Sequence, residues 1–466
     1  MKVRAVIELA GRWDEARVEA VASALSAKGE LLWLDGAWRD GLGGELPTDL
    51  KEGSILAAGA EGRVRVLAGE SVVDALREVD DDGLWAGYLG YDAHWSWQGG
   101  PPAPIAAAKR LEVRTAVDPN TPVALLHRYG ACVYVERRGR AYVFAESRSK
   151  AEALASSILG RTTSGEAASD APTPNASTRA HGFRASSLSA HAARIAAALD
   201  AIGEGEIYQI NLARRFSARF DGEPLDLWRA LRKASPVPLG FYLDGGDHQV
   251  LGRSMETFLR WRGGRLETSP IKGTLARRGD DQAEAKSLVA DPKEHAEHAM
   301  IVDLMRNDLG RLALTGSVRV ERAMRVEPYR KLNHLVSTVS CEPRPEVDLE
   351  HVLTATFPPG SISGTPKVRA VELIDRLEGA RGVYCGALGV FSKPLCLAVA
   401  IRTAVLRHGH VDYRAGGGIV ASSQIDRELA ETDLKAAAFI DALALLADDS
   451  EHDGTPAQRS RRSDLR

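Results

Sequence analysis

Residues 189–216 read SAHAARIAAALDAIGEGEIYQINLARRF, a helix running almost directly into a strand. Ser189 offers a side-chain oxygen to the free amides of a first turn, so the spacing predicts a helix over about 190–202 capped by Ser189. Ala, Ile and Leu recur on one face. His191, Arg194 and Asp200 are expected off that face, and Gly203 is the stop. Residues 206–216 then read as a strand. Downstream, residues 283–308 carry a helical period, 320–327 read as β, 369–378 as helix and 427–446 as a long final helix. Upstream, short apolar runs at 55–58, 64–67, 132–136 and 142–146 alternate with Gly- and Asp-rich turns. Strands and helices mix without regular alternation, which predicts an α+β fold and not a doubly wound parallel sheet.

The texture divides the chain into an N-terminal α+β region (1–160), a polar segment RTTSGEAASDAPTPNASTRA (161–180), a main region (181–447) and a polar tail (448–466). Segment 161–180 reads as a flexible linker or loop, and the tail, ending QRSRRSDLR, reads as disordered. There is no internal repeat. With 60 Lys+Arg against 63 Asp+Glu in 466 residues, net charge −3, nothing invites nucleic acid or an anionic membrane. Cys132, Cys341, Cys385 and Cys396 form no C-x-x-C pair, which argues against a disulfide framework or thiolate zinc site. No signal-peptide core and no apolar run of about 18 residues is found, so the expected compartment is the cytoplasm.

Four segments carry candidate chemistry. In SPIKGT (269–274), Lys272 sits between a proline-led turn and Gly-Thr. It is either a solvated lysine or a nucleophile whose pKa must fall from about 10.4 toward neutrality. In KEHAEH (293–298), Glu294 and Glu297 stand three apart on one helix face. His295 and His298 are also three apart, whereas a metalloprotease helix needs four. Paired carboxylates suit a hard cation such as Mg²⁺. In RELAETDLK (427–435), Glu428 and Glu431 repeat that spacing and Lys435 follows. The glycine-rich runs FPPGSISGTPK (357–367) and AGGGI (415–419) complete the set. The first mimics a phosphate loop but is one residue short and has Pro366 before Lys367. Backbone amides of such loops can cradle a carboxylate, and Arg402 and Tyr384 could donate to the same anion.

In this order the segments resemble the chorismate-utilising enzymes, a family that includes anthranilate, aminodeoxychorismate, isochorismate and salicylate synthases. The likeness is dense over 185–445, through GEIYQINLARRF, PIKGT, EHAMIVDLMRNDLGRL, NHLVSTVS, FPPGSISGTPKVRAVELI, YCGALG, AIRTAV, AGGGIV and ELAETDLKA. It is looser upstream except at GYLGYD (87–92). It implies two antiparallel sheets packed together, flanked by helices, with the two regions interwoven.

The resemblance also implies roles. Gln209 occupies the place where isochorismate and salicylate synthases carry a water-activating lysine, which favours amination. Lys272 stands where anthranilate synthases typically have alanine and the aminodeoxychorismate branch has its nucleophile; Asn211 leans the same way. That branch converts chorismate and ammonia to 4-amino-4-deoxychorismate, the precursor of 4-aminobenzoate for folate. Glu297 and Glu431 would ligate Mg²⁺ directly, and Glu294 and Glu428 through water. Glu256, in RSMETFLR where the family usually has Ser-Pro-Glu, would be the general acid. His334 would contact the departing hydroxyl, and Arg402 and Tyr384 would hold the enolpyruvyl carboxylate. Lys435, Gly416, Gly417, Gly418, Thr274 and Gln209 complete the expected substrate-binding set. No segment is left for a glutaminase, so a separate glutamine amidotransferase subunit is expected to supply ammonia. The alternatives are an anthranilate synthase large subunit with an unusual lysine, and a catalytically idle subunit that senses an amino acid.

Overall fold

Leu32 and Leu34 leave their strand on one side and Trp33 on the other, and all three are fully buried. The same two-faced burial holds for Ile55 and Leu56, Cys132 and Val133, and Phe241 and Tyr242. A sheet covered on both faces needs apolar side chains at successive positions, which is why these strands show apolar runs and little alternation. The computed structural model describes residues 2–42, 52–98, 120–136, 139–162, 178–276, 292–328 and 332–447. Most of the expected linker and the whole expected tail lie outside the described residues.

Two sheets account for the strands, and every described strand pair is antiparallel. The first, of 12 strands, runs from Ala5–Leu9 through Leu32–Gly36, Leu239–Asp244 and Thr403–Arg407 to His410–Val420 (the glycine strand), Gln209–Asp221 (the long strand) and the short Gly364–Thr365. The second, of 10 strands, starts at Ile271–Ala276 (the lysine strand), followed by Leu332–Cys341 (the histidine strand), and ends at Gly62–Val66. Both sheets combine strands from before residue 160 and after residue 180. Leu34, Phe144 and Phe241 from the first sheet pack in one cluster with Tyr88, Leu388 and Ala398 from the second. This is the expected α+β architecture of packed antiparallel sheets with helices outside.

The expected elements are present with shifted ends. The helix read at 190–202 is Leu188–Gly203, and its cap is Ser187, which accepts Ala190 N–H at 3.2 Å. The expected cap Ser189 instead shares a hydrogen bond with Ser187 Oγ at 2.7 Å. His191 is buried, contrary to its expected outward place, because this helix packs against both the long strand and the final helix. The final helix spans Ile425–Ala444 and the mid-chain helix Pro292–Gly310. All four cysteines are free and buried. Among the described residues no helix is long and apolar enough to cross a membrane.

Candidate active site

Lys272 Nζ and the Gln209 amide meet over the Cα of Gly418, so edges of the two sheets join at one place. A Cβ on Gly418 would stand 3.0 Å from Lys272 Nζ and 3.3 Å from Gln209 Nε2. The lysine strand pairs with the histidine strand, Lys272 opposite Leu335 and Thr274 opposite His334, with an irregularity between Lys272 and Thr274. His334 is buried at this junction. The side chain of Thr274 lies outside the described residues.

The final helix reaches the site through its seat on the glycine strand. Phe439 stacks on Tyr413 with ring centroids 4.4 Å apart and an interplanar angle of 2°. Ala436 and Thr432 are buried on the same face. Glu428, Glu431 and Lys435 follow at helical spacing and are thereby turned toward the glycines. A Cβ on Gly417 would lie 3.3 Å from Glu428 Oε2, 3.6 Å from Glu431 Oε1 and 3.7 Å from Lys435 Nζ. Lys435 pairs with Glu431 at 2.7 Å and donates to the Gly416 carbonyl at 2.9 Å. The mid-chain helix buries His298, Ile301, Met305 and Leu309 along one stripe and packs on the lysine and histidine strands. That stripe places Glu297 at the cleft, where its charge acts on Lys272.

Burial shifts the protonation of two groups in the cleft. Desolvation lowers the Lys272 pKa; Lys435 lowers it further, against opposite pulls from Glu297, Glu256 and Glu431. A lysine so placed keeps more of the free amine that attacks carbon. Glu256 is buried, and that burial raises its carboxyl to about 7, against Ser361, Lys272 and the Ile271 amide, which favour the charged form. The Ser361 hydroxyl donates to Glu256 Oε1. A carboxyl titrating near neutrality is suited to giving up a proton at physiological pH.

Backbone amides and polar side chains complete the cleft. Asn211 N–H is taken by Ser363 O and Ala213 N–H by Glu378. Their partners across the long strand, Gly418 and Gly416, therefore form non-hydrogen-bonded pairs and turn their own amides away from it. Past Tyr413 no described strand covers that edge, which leaves these amides available to a ligand. Gln209 is fully buried, yet among the described residues neither its Nε2 nor its Oε1 has a hydrogen-bond partner, and the same is true of Asn211 Oδ1. Their side-chain polar atoms are thereby free to meet a ligand. Arg402 is half-buried at a left-handed φ of 50°, and burial lowers its pKa. Arg402 and Tyr384 lie in connections between elements. Both follow from the chain reversals that join Lys367–Glu378 to Ala387–Val390 and Leu395–Val399 to Thr403–Arg407.

The carboxylates suit a metal by chemistry. Glu294 and Glu297 from one helix and Glu428 and Glu431 from the other offer hard oxygen donors, and the charges of Glu297 and Glu431 act on Lys272. Among the described residues they are not drawn into a ready cage of three or more ligands. The histidines do not join them. His295 is exposed, and His298 Nε2 is hydrogen-bonded to Ser337 Oγ at 2.6 Å. Burial lowers the His298 pKa to about 4, with help from Lys272.

Ser361 carries no mark in the sequence, and His298 is marked there only as a metal ligand at the wrong spacing. Ser361 sits inside the FPPGSISGTPK run, where attention went to the glycines and Lys367. Lys367 proves structural: it pairs with Asp308 and donates to Thr356 O at 2.8 Å. Nothing in the local pattern marks Ser361, because its partner Glu256 is 105 positions away.

Comparison with known proteins gives the same picture. Residues 49–441 match the family model of the chorismate binding enzymes. Anthranilate synthase component 1 of Aquifex aeolicus is 44% identical over 256 residues, 54% of this chain and 52% of that protein. Aminodeoxychorismate synthase component 1 of Klebsiella aerogenes is 43% identical over 234 residues, 49% of this chain and 52% of that protein. The chain thus spans about half the length of the curated relatives it matches. Among solved structures, anthranilate synthase component I of Streptococcus pneumoniae superposes with a TM-score of 0.69 at 29% identity, covering 85% of this chain and 94% of that one. The menaquinone-specific isochorismate synthase of Escherichia coli gives 0.67 at 21% identity, covering 94% of each chain, a likeness of fold.

Proposed function

The chain belongs to the chorismate binding enzyme family, and from that premise we propose that it aminates chorismate to 4-amino-4-deoxychorismate through a covalent adduct on Lys272. The observation that carries this reading is the desolvated Lys272 amine beside Gln209 and the bare Cα of Gly418, with the Glu256 carboxyl acting on it electrostatically. Lys272 Nζ attacks ring carbon 2, both ring double bonds shift by one position toward carbon 4, and the carbon 4 hydroxyl leaves as water with the Glu256 proton. Ammonia then attacks carbon 4, both double bonds shift back, and the lysine leaves carbon 2 as a free amine, the proton that the ammonia sheds balancing the one it takes up. Ser361 orients Glu256, and His334 meets the departing hydroxyl. Arg402 and Tyr384 take the enolpyruvyl carboxylate, while the Gly416 and Gly418 amides, Gln209, Thr274 and Lys435 line the substrate's remaining polar groups. Magnesium held by Glu297 and Glu431, with Glu294 and Glu428 acting through water, would grip the ring carboxylate and supply Lewis-acid stabilisation. A separate glutamine amidotransferase subunit supplies the ammonia, and the product serves 4-aminobenzoate and folate synthesis.

Anthranilate synthesis is the second reading, favoured by the many relatives of that name at 41–44% identity. A product assay separates the two: purified protein, chorismate, Mg²⁺ and ammonium, followed by mass spectrometry, with Lys272→Ala alongside. Aminodeoxychorismate from the wild type, lost or replaced by anthranilate in the variant, supports the proposal. Anthranilate from the wild type overturns it and makes Lys272 a bystander.

A further inference from the structure

Ser337 Oγ accepts the Met324 backbone N–H at 2.8 Å and lies 2.6 Å from His298 Nε2. A hydroxyl has a single hydrogen to donate. The amide occupies a lone pair of that oxygen, and among the described residues no acceptor other than the ring nitrogen meets the hydroxyl hydrogen, so that hydrogen goes to the imidazole. Nε2 is therefore the acceptor, and the ring hydrogen resides on Nδ1. The ring is fully buried, and among the described residues no carboxylate pairs with it, so it rests neutral. Nδ1–H has no hydrogen-bond partner among the described residues. An unused donor at zero exposure calls for an acceptor that arrives with a ligand.

Its position names that acceptor. Ser337 N–H reaches Pro270 O at 3.3 Å, and the next pairs along the two strands are Ile271 with Val336 and Lys272 with Leu335. The ring thus lies over the strand pair that delivers Lys272, one residue after Glu297 on the helix that brings carboxylates to the cleft. We propose that His298 Nδ1–H donates to the ring carboxylate of the substrate, its tautomer set by Ser337. This rests on the chorismate reading above. A neutral donor holds the carboxylate without adding a second proton-bearing cation beside a lysine that must stay uncharged.

Two substitutions split the ring's two nitrogens. His298→Asn keeps an N–H near the Nδ1 position and loses the Ser337 contact; His298→Gln reaches Ser337 and loses the Nδ1 donor. Chorismate KM and the Kd of benzoate, which carries the ring carboxylate alone, are measured on both variants and the wild type. The proposal expects His298→Asn within about threefold of wild type. It expects His298→Gln to be weakened about tenfold or more in both quantities, the loss of one hydrogen bond to a charged group. The reverse order, or equal effects in the two variants, overturns it. Should either variant not fold, Ser337→Ala decides: it leaves the ring and frees its tautomer, so both constants rise, and unchanged constants overturn the proposal. Benzoate binding is read whether or not the wild type turns chorismate over, so a failed chorismate reading is seen separately in the wild-type assay.

Discussion

Lys272 Nζ and Gln209 Nε2 converge on Gly418 from different sheets, so closely that a Cβ there would lie 3.0 and 3.3 Å from them. The glycine thus leaves open the space in which an amine can reach a ring carbon. Gly418→Ala is expected to fold, because the lysine end can yield, and to displace the amine. A shift of about 1 Å costs about 100-fold in rate, so kcat should fall by that order with the melting temperature nearly unchanged. Gly416→Ala should do the opposite. Its Cβ would stand 2.1 Å from the Leu212 carbonyl oxygen and force the strands apart, costing about 1–3 kcal/mol in denaturant unfolding.

Glu256 makes stability and activity depend on pH in the same window. Its ordinary value is 4.5 and burial raises it to about 7. Between those values the folded protein holds a proton that the unfolded chain releases. Stability from this group is therefore complete below about 4.5 and lost as pH rises through about 7, on the order of 3 kcal/mol in total. Glu256→Gln should flatten that part of the melting-temperature profile. In the wild type, turnover with ammonia held constant should decline as pH passes about 7, since the acid is then spent.

Arg402 should matter to binding and little to folding. No described carboxylate is ion-paired with it, and burial already disfavours its charge. Arg402→Ala is expected to raise the chorismate KM by about 10- to 100-fold, the loss of a charge-assisted hydrogen bond pair. Thermal unfolding should move by less than about 1 kcal/mol. A large stability loss with an unchanged KM would make the residue structural.

Covalent capture is the sharpest check of Lys272. With chorismate and Mg²⁺ but no ammonium, intact-protein mass spectrometry after acid quench should show the mass of chorismate less water, mapped to the peptide holding Lys272. Glu256→Gln should accumulate less of it, and Lys272→Ala none.

Metal dependence can be read apart from turnover. Calorimetric titration of Mg²⁺ into chelator-treated protein should show one site, abolished in Glu297→Gln and in Glu431→Gln. Glu431 is paired with Lys435 at 2.7 Å, so Lys435→Met should tighten Mg²⁺ binding even as it impairs the substrate. Heat from Glu297→Gln equal to wild type would remove this helix from the ion site.

The long helices were legible in the sequence because a 3.6-residue period persists over many turns, and their caps failed by only a residue or two. Ser187, not Ser189, caps its helix, since either serine meets the local requirement and only the packing of Leu188–Gly203 chooses between them. Lys272, the paired glutamates and the glycine run were visible as residue types at particular spacings, and so was the mixed α+β class. What no local pattern carried was convergence. Lys272 needs Gly418, Lys435 and two helices to be desolvated and charge-balanced, Glu256 needs Ser361 to be oriented, and His298 needs Ser337 to choose its tautomer. Each of these pairs is distant in the chain: Lys272 and Gly418 meet because the edges of the two sheets join, and His298 and Ser337 because the mid-chain helix packs on the histidine strand. The sequence by itself determined which chemical groups the protein owns and which local elements carry them. Tertiary structure decided their protonation and direction, because desolvation and Coulomb interaction depend on distances that chain order does not contain.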